Sequence, residues 1–326
     1  MKLSPTPLLR WPSRTILIVL TMVAASPFVY FGVQHLASQE GGNQPQTVEN
    51  KQEQQGRSTP GYIEAQRRIQ QAIDTQATDL NLTNLSLTQV PPEIGQLSQL
   101  QSLDLSGNQL RQLTPEIGQL TQLQDLFLTQ NQLESLPPEI GQLSNLEWLQ
   151  ADGNQLSRLP KEIGQLSNLE MLWLRRNKLT HLPAEIGQLS ALADLEIMDN
   201  QLQTLPSELG RLTQLQSLKV QNNALSSLPA TIVQLSSLKL LDLDNNQFKA
   251  LPSQVGLLNN LETLDLSDNQ LKELPSELGQ LKKLQLLVVR DNQLHRLPPE
   301  MTKLPKLRMF LSGNPLPREI LEQHSF

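Results

Sequence analysis

The sequence predicts an α/β solenoid in which short parallel β-strands stack into a sheet on the concave side, short helical turns form the convex side, and a helix caps the N-terminal end. Three observations predict it. Asparagine recurs at 108, 131, 154, 177, 200, 223, 246, 269 and 292, always 23 residues apart. A leucine frame recurs with it, as in residues 139–161, EIGQLSNLEWLQADGNQLSRLPK. Within each unit two apolar residues bracket one polar residue, as Leu103 and Leu105 bracket Asp104, which is the alternation of a half-buried strand. A fixed period in the low twenties marks a supersecondary unit that buries its apolar face only by stacking on its neighbours.

Each position in the unit has a physical role. The leucine pair of the strand points inward, and Leu97, Leu100, Leu110 and Leu113 fill the interior from the turns. A fully buried leucine contributes about 1.5–3 kcal/mol. The nine asparagines stand where the chain turns away from the strand. An amide both donates and accepts, so a column of them, Asn108, Asn131, Asn154, Asn177, Asn200, Asn223, Asn246, Asn269 and Asn292, satisfies backbone groups that stacking would otherwise bury unpaired. In the Leu-Pro-x-Glu-Ile-Gly segment, proline sets φ at the start of a helical turn and glycine is expected to permit the exit. This frame, with its L-P-x-E-I-G-Q-L consensus, resembles the leucine-rich-repeat family, and within it the Ras-suppressor type that also occurs in bacterial and plant intracellular repeat proteins. The resemblance covers residues 80–316, some ten to eleven repeats. It implies a leucine-rich-repeat horseshoe and is nearly silent on the ligand.

The departures fall mainly at the ends. Leu85 occupies the asparagine slot of the first repeat, beside Asn84, and Asn314 follows Asn292 by 22 residues. Phe248 replaces a core leucine, and Val233 replaces the glycine of the turn. Residues 61–79 are expected to form a capping helix, with Ile63, Ala65, Ile69, Ala72 and Ile73 on its apolar face. Residues 317–326 are expected to close the other end.

Ahead of the repeats, Lys2, Arg10 and Arg14 precede nineteen predominantly apolar residues, 15–33, TILIVLTMVAASPFVYFGV. As a helix they would span about 28 Å, close to the thickness of a hydrocarbon core. The expected organisation is a cytoplasmic segment (1–14), a single-pass signal anchor (15–33), a flexible linker (34–60), and repeats on the extracytoplasmic side of the membrane. A cleaved signal peptide, ending near Ala24-Ala25-Ser26, is the alternative and would make the protein secreted.

Composition excludes several chemistries. There is no cysteine, so disulfides, thiolate metal sites and cysteine nucleophiles are ruled out. Net charge is −6, and residues 1–60 hold five basic against three acidic residues, which leaves the repeats acidic and argues against nucleic acid. No phosphate-binding G-x-x-x-x-G-K-[ST] loop occurs, and His35, His181, His295 and His324 are scattered. No catalytic, metal or cofactor site is expected. The expected function is protein binding by a receptor or scaffold tethered to the membrane through 15–33. Reading the strand columns places Phe127, Trp148, Met171, Trp173 and Met198 side by side on the sheet face, with Arg175 and Arg176 on the rim, a composition suited to a binding hot spot. The alternative partner is a carbohydrate or cell-wall glycan stacked on Trp148 and Trp173. Asp242, Asp244, Asp265, Asp268 and Asp291 form an acidic zone farther along, expected chiefly to be a solvated face, with a basic partner or a bound cation as the alternative.

Overall fold

The structure, a computed structural model, describes residues 59–323 apart from 305. The expected cytoplasmic segment and the anchor at 15–33 lie outside the described residues, as does nearly all of the linker. Among the described residues no helix is long and apolar enough to cross a membrane.

The chain enters through helix α1, Pro60–Thr75. Thr59 caps it by accepting a hydrogen bond from the Tyr62 amide at 3.3 Å, and Pro60 occupies its first turn, where an N–H would go unused. The buried stripe is Tyr62, Ala65, Ile69 and Ala72. Ile63, expected on that face, is instead 57% exposed: the helix is rotated so that the larger ring of Tyr62 enters the core. Gly61 allows the approach, because a Cβ there would meet the Leu85 carbonyl oxygen at 1.7 Å. Arg68 ties the other side by donating to the Asn81 carbonyl at 3.0 Å. The helix thus covers apolar surface that the first repeat has no preceding repeat to bury.

Eleven three-residue strands follow in one parallel sheet, ordered as in sequence. They are β1 (Asp79–Asn81), β2 (Ser102–Asp104), β3 (Asp125–Phe127), β4 (Trp148–Gln150), β5 (Met171–Trp173), β6 (Asp194–Glu196), β7 (Ser217–Lys219), β8 (Leu240–Asp242), β9 (Thr263–Asp265), β10 (Leu286–Val288) and β11 (Arg308–Phe310). Neighbours pair in register: Leu126 lies beside Leu149, Leu149 beside Leu172 and Leu172 beside Leu195. The central apolar residue of each strand faces inward, and its two flanking residues face away from the core. Between strands, five-residue 3-10 turns such as Lys161–Gln165 run behind the sheet. Pro160 precedes that turn with φ −67°, and Ile163 and Leu166 close it with i→i−3 hydrogen bonds of 3.1 and 3.2 Å. The core is one continuous column of leucine and isoleucine, into which Phe248 fits fully buried.

The turn glycine has a different purpose from the expected one. It lies inside the turn rather than past its end, and its φ is not positive. A Cβ on Gly187 would stand 2.3 Å from the Glu208 carbonyl oxygen of the next repeat. Glycine is there so that successive turns can pack closely.

The asparagine column binds repeat to repeat. Asn177 Oδ1 accepts from the Leu156 amide of the preceding repeat at 3.0 Å. Its Nδ2 donates to the Ala151 carbonyl of that repeat at 2.9 Å and to its own repeat's Leu174 carbonyl at 3.0 Å. The pattern recurs at the other ladder positions. Asn314 belongs to it despite the shorter spacing, since its Oδ1 accepts from Leu294 at 3.0 Å. In the first repeat Leu85 cannot play this part, and Asn108 Oδ1 receives both the Leu85 and the Leu87 amides at 3.0 Å.

The residue before each ladder asparagine is left-handed throughout: Gly107, Gln130, Gly153, Arg176, Asp199, Asn222, Asn245, Asp268, Asp291 and Gly313 all have positive φ. Gly, Asn and Asp tolerate this region best. Asp268 and Asp291, read from sequence as members of an acidic zone, therefore have a backbone reason to be where they are.

Removing the Asn177 amide leaves the buried Leu156 amide without its acceptor and takes one of two asparagine donors from each of the Ala151 and Leu174 carbonyls, so Asn177→Ala is expected to lower stability by about 1–3 kcal/mol. The control is Gln201→Ala, an exposed site expected to change stability by less than about 0.5 kcal/mol. Equal denaturant midpoints for the two variants would refute the bridging role.

Candidate functional site

The strand pairing lays three columns of side chains on the outer face of the sheet. Trp148 lies beside Met171, and Gln150 beside Trp173. Phe127 lies beside Gln150, diagonal to Trp148. Strands are about 4.8 Å apart, so the aromatic side chains meet. The Phe127 and Trp148 rings stand edge to face with centroids 5.0 Å apart, and Trp148 and Trp173 do the same at 5.0 Å. Such pairs contribute about 0.5–1.5 kcal/mol beyond the area they bury. Phe127, Trp148, Met171, Trp173 and Met198 are all half-buried, and the structure brings them onto one face.

The two arginines differ in a way the sequence did not reveal. Arg175 donates to Asp152 Oδ2 through Nε at 2.9 Å and Nη2 at 2.6 Å, and it lies 3.4 Å from Glu196 Oε2. Its guanidinium also covers the Trp173 ring at 4.9 Å from the centroid. Burial pulls the Arg175 pKa down, but the hydrogen bond and charge of Asp152, with Glu196 and Asp194 behind it, outweigh that and hold it above its ordinary value. Lys219 closes the network by meeting Glu196 Oε1 at 2.7 Å. Arg175 is therefore fixed in a charge network. Arg176 points outward, its side chain 75% exposed and 3.9 Å from Asp199. Asp152, Asp194, Glu196 and Lys219 are the residues sequence reasoning passed over. They stand in the same columns as the aromatics, and that is the signal that could have found them.

Buried polar atoms without hydrogen-bond partners concentrate on this face. Among the described residues they include Thr129 Oγ1, Trp148 Nε1, Asp194 Oδ1, Ser217 Oγ, Gln221 Oε1 and Asp244 Oδ1, and Glu93 Oε2 is the one that lies elsewhere. Such groups normally find partners, so their grouping on one surface suits contact with a ligand.

The acidic zone is the solvated face expected of it only at Asp268 and Asp291, which are exposed. Asp242, Asp244 and Asp265 sit half-buried on adjacent strands and their flanks. Burial and the Asp265 charge push the Asp242 carboxyl up to about 7 and the Asp244 carboxyl to about 6. The nearest cation, Lys219, is engaged by Glu196. Beyond this zone Leu286, Val288 and Phe310 make a second apolar strip, with Arg290 over the Phe310 ring at 4.7 Å. His181 and His295 are both exposed. Among the described residues no cluster of three or more His, Asp or Glu side chains could hold a metal ion.

Comparison with known proteins gives a consistent result. A family model described as a leucine-rich repeat region matches residues 78–154 and 234–321, and a second, leucine rich repeat, matches 144–202 and 190–248. A leucine-rich-repeat protein of Leptospira interrogans is 40% identical, with 77% of this chain and 78% of that one covered and a TM-score of 0.57. A TDR receptor is 33% identical over 76% of this chain and 44% of that one, with a TM-score of 0.69. The ectodomain of the Arabidopsis thaliana membrane receptor kinase GASSHO1/SCHENGEN3, solved with CASPARIAN STRIP INTEGRITY FACTOR 2, is 31% identical over 74% and 37%, with a TM-score of 0.58. The chain spans less than half the length of either receptor structure. No curated protein matches it.

The raised Asp242 pKa has a consequence for stability. Its folded value lies above that of an unfolded aspartate, so the folded state binds more protons and loses stability as pH rises from about 4 to about 7. Asp242→Asn removes the charge and is expected to stabilise the protein by about 1–3 kcal/mol at pH 7.5, with the gain shrinking toward zero near pH 4. Urea titrations at both pH values test this; a gain that does not depend on pH rejects it.

Proposed function

The chain belongs to the leucine-rich-repeat family, and from that premise we propose that it is a non-catalytic receptor or scaffold that captures a protein partner on the sheet face of its second to fifth full repeats. The observation that carries this reading is the edge-to-face row of Phe127, Trp148 and Trp173 in a chain that is only 3% aromatic. Met171 and Met198 flank the row with adaptable apolar surface. The unpaired polar atoms around it supply the directional contacts that a protein ligand needs. A receptor ectodomain of the same fold, 31% identical, was solved with CASPARIAN STRIP INTEGRITY FACTOR 2, and a plant peptide hormone receptor, 30% identical, with RGF2, which supports a peptide or protein ligand here. A glycan fits less well. Stacking on a sugar needs an open ring face, whereas Trp148 and Trp173 are turned 74° to each other and Arg175 occupies one face of Trp173.

The L-P-x-E-I-G-Q-L consensus supports a Ras-suppressor-like type of repeat, and the apolar segment 15–33 supports a tether that leaves the repeats extracytoplasmic. In intact cells, added protease is expected to degrade the repeats. Repeats that resist until the membrane is permeabilised would reverse this topology, and a mature N-terminus near residue 27 would replace the anchor with secretion.

The binding surface is tested on the intact chain with a partner captured from the extracytoplasmic fraction. Trp148→Ala with Trp173→Ala is expected to keep the fold, because neither ring is in the leucine core, and to lose at least about 2 kcal/mol of binding. Arg176→Glu is expected to slow association more at low salt than at high salt. Arg175 is a poor probe, since its removal leaves Asp152 buried without its cation and takes one of the two cations from Glu196. A double variant with native circular dichroism and unchanged affinity would locate the site elsewhere.

A further inference from the structure

The aromatic row and the acidic zone lie on one face of one sheet, at a fixed separation. Counting strands, Trp173 on β5 is three strands from Asp242 on β8 and four from Asp265 on β9. At about 4.8 Å per strand this is about 14–19 Å across the sheet. An extended peptide advances about 3.3–3.4 Å per residue, so about four to six residues bridge the two zones.

The acidic zone has the features of a seat for cations. Among the described residues no ion pair reaches Asp242, Asp244 or Asp265, while Asp152 and Glu196 nearby are fully paired. Ser217 lies on the same face, next to the Lys219 that pairs in register with Asp242. It is 6% exposed, and its hydroxyl makes no hydrogen bond among the described residues. Leu240 beside Ser217 and Val288 beside Asp265 offer apolar walls on which the alkyl stem of a lysine or arginine can lie. A metal ion is the poorer occupant, since these carboxylates do not converge on a point.

We propose that the partner engages this face through an extended basic segment, with an apolar side chain on Trp148 and Trp173 and lysine or arginine side chains about four to six residues along it on Asp242, Asp244 and Asp265. This rests on the reading of the two tryptophans as the anchor. It adds the chemistry and spacing of the ligand.

A proton linkage follows. Asp242 is faced by Lys219 from β7, by Asp265 from β9 and by Asp244 of its own repeat; Asp268 faces Asp244 and Asp265, Asp291 lies beside Asp268, and Arg290 is turned over Phe310. Burial with the Asp265 charge lifts Asp242 to about 7 and Asp244 to about 6. A bound cation favours the ionised carboxylates, so binding releases protons and strengthens as pH rises from about 5 to about 8.

The test pans a displayed library of random dodecapeptides on the intact chain at pH 8. Selected peptides are expected to carry an aromatic or aliphatic residue followed or preceded by lysine or arginine at about four to six positions. Their affinity is expected to fall at least about tenfold in Asp242→Asn with Asp265→Asn, and at least about tenfold between pH 8 and pH 5.5. Peptides that need the tryptophans but show neither basic residues nor loss in the aspartate variant overturn this inference and leave the binding surface standing. Peptides indifferent to the tryptophans overturn the anchor and with it the spacing. A library that yields no peptide dependent on either set overturns both.

Discussion

The bridge made by one asparagine amide between two repeats is the constraint on which the rest of this solenoid depends. A three-residue strand is too short to hold itself, and the chain must leave it at once toward the core side. That exit strands an amide and two carbonyls in a dry place, where each unpaired group would cost about 1–3 kcal/mol. Asn177, with its contacts to Leu156, Ala151 and Leu174, serves all three. A serine or threonine hydroxyl has one O–H to donate, whereas the asparagine amide offers two N–H donors and a separate acceptor oxygen. The constant spacing, the register of the sheet and the left-handed residue before each asparagine all follow from placing that amide at the same height in every turn.

A consequence is that cohesion comes chiefly from the interior and from the ladder, leaving the outer face of the sheet with local duties such as the Asp242 carboxylate accepting the Asp244 amide. Leu126, Leu149, Leu172 and Leu195 hold the strands from within, fully buried. The residues flanking them can then vary without loss of fold. In this chain they vary in blocks: an aromatic row on β3 to β5, a charge network on β5 to β7, unpaired acids on β8 and β9, and an apolar strip on β10 and β11.

The repeat architecture was legible because each unit repeats the same local chemistry, and one misread position is outvoted by its equivalents. Errors arose where a residue's role depends on a neighbour far away in sequence. Ile63 fits the helical period as well as Tyr62 does; only the surface of the first repeat decides which one turns inward. The turn glycine suggests a helix exit, and only the Glu208 carbonyl of the next repeat shows that it is a point of close packing. The aromatic row could be read by aligning columns, since the register is simply the period. Whether Arg175 is free could not be read that way, because its partners, Asp152 and Glu196, reach it from the strands on either side. Nor could the columns show that Asp242 is shielded from water.

The distribution of cost argues that something other than folding shapes the outer face. Inside, the cost is minimal: leucines are buried and ladder amides satisfied. The left-handed positions are mostly Gly, Asn or Asp, which tolerate that geometry, although Gln130 and Arg176 do not share that ease. Outside, among the described residues, Asp242 and Asp265 each accept the amide two residues on but crowd without a cation in contact, and polar atoms are buried without partners. A surface that departs from the cheapest solution in one contiguous region, beside an equally atypical aromatic row, is arranged for what it meets. The unpaired negative charge, the orphaned hydroxyl and the apolar walls are each relieved by the same event, the arrival of a cationic side chain on an extended segment, and that convergence ties the electrostatics of β8 and β9 to the aromatic row on β3 to β5.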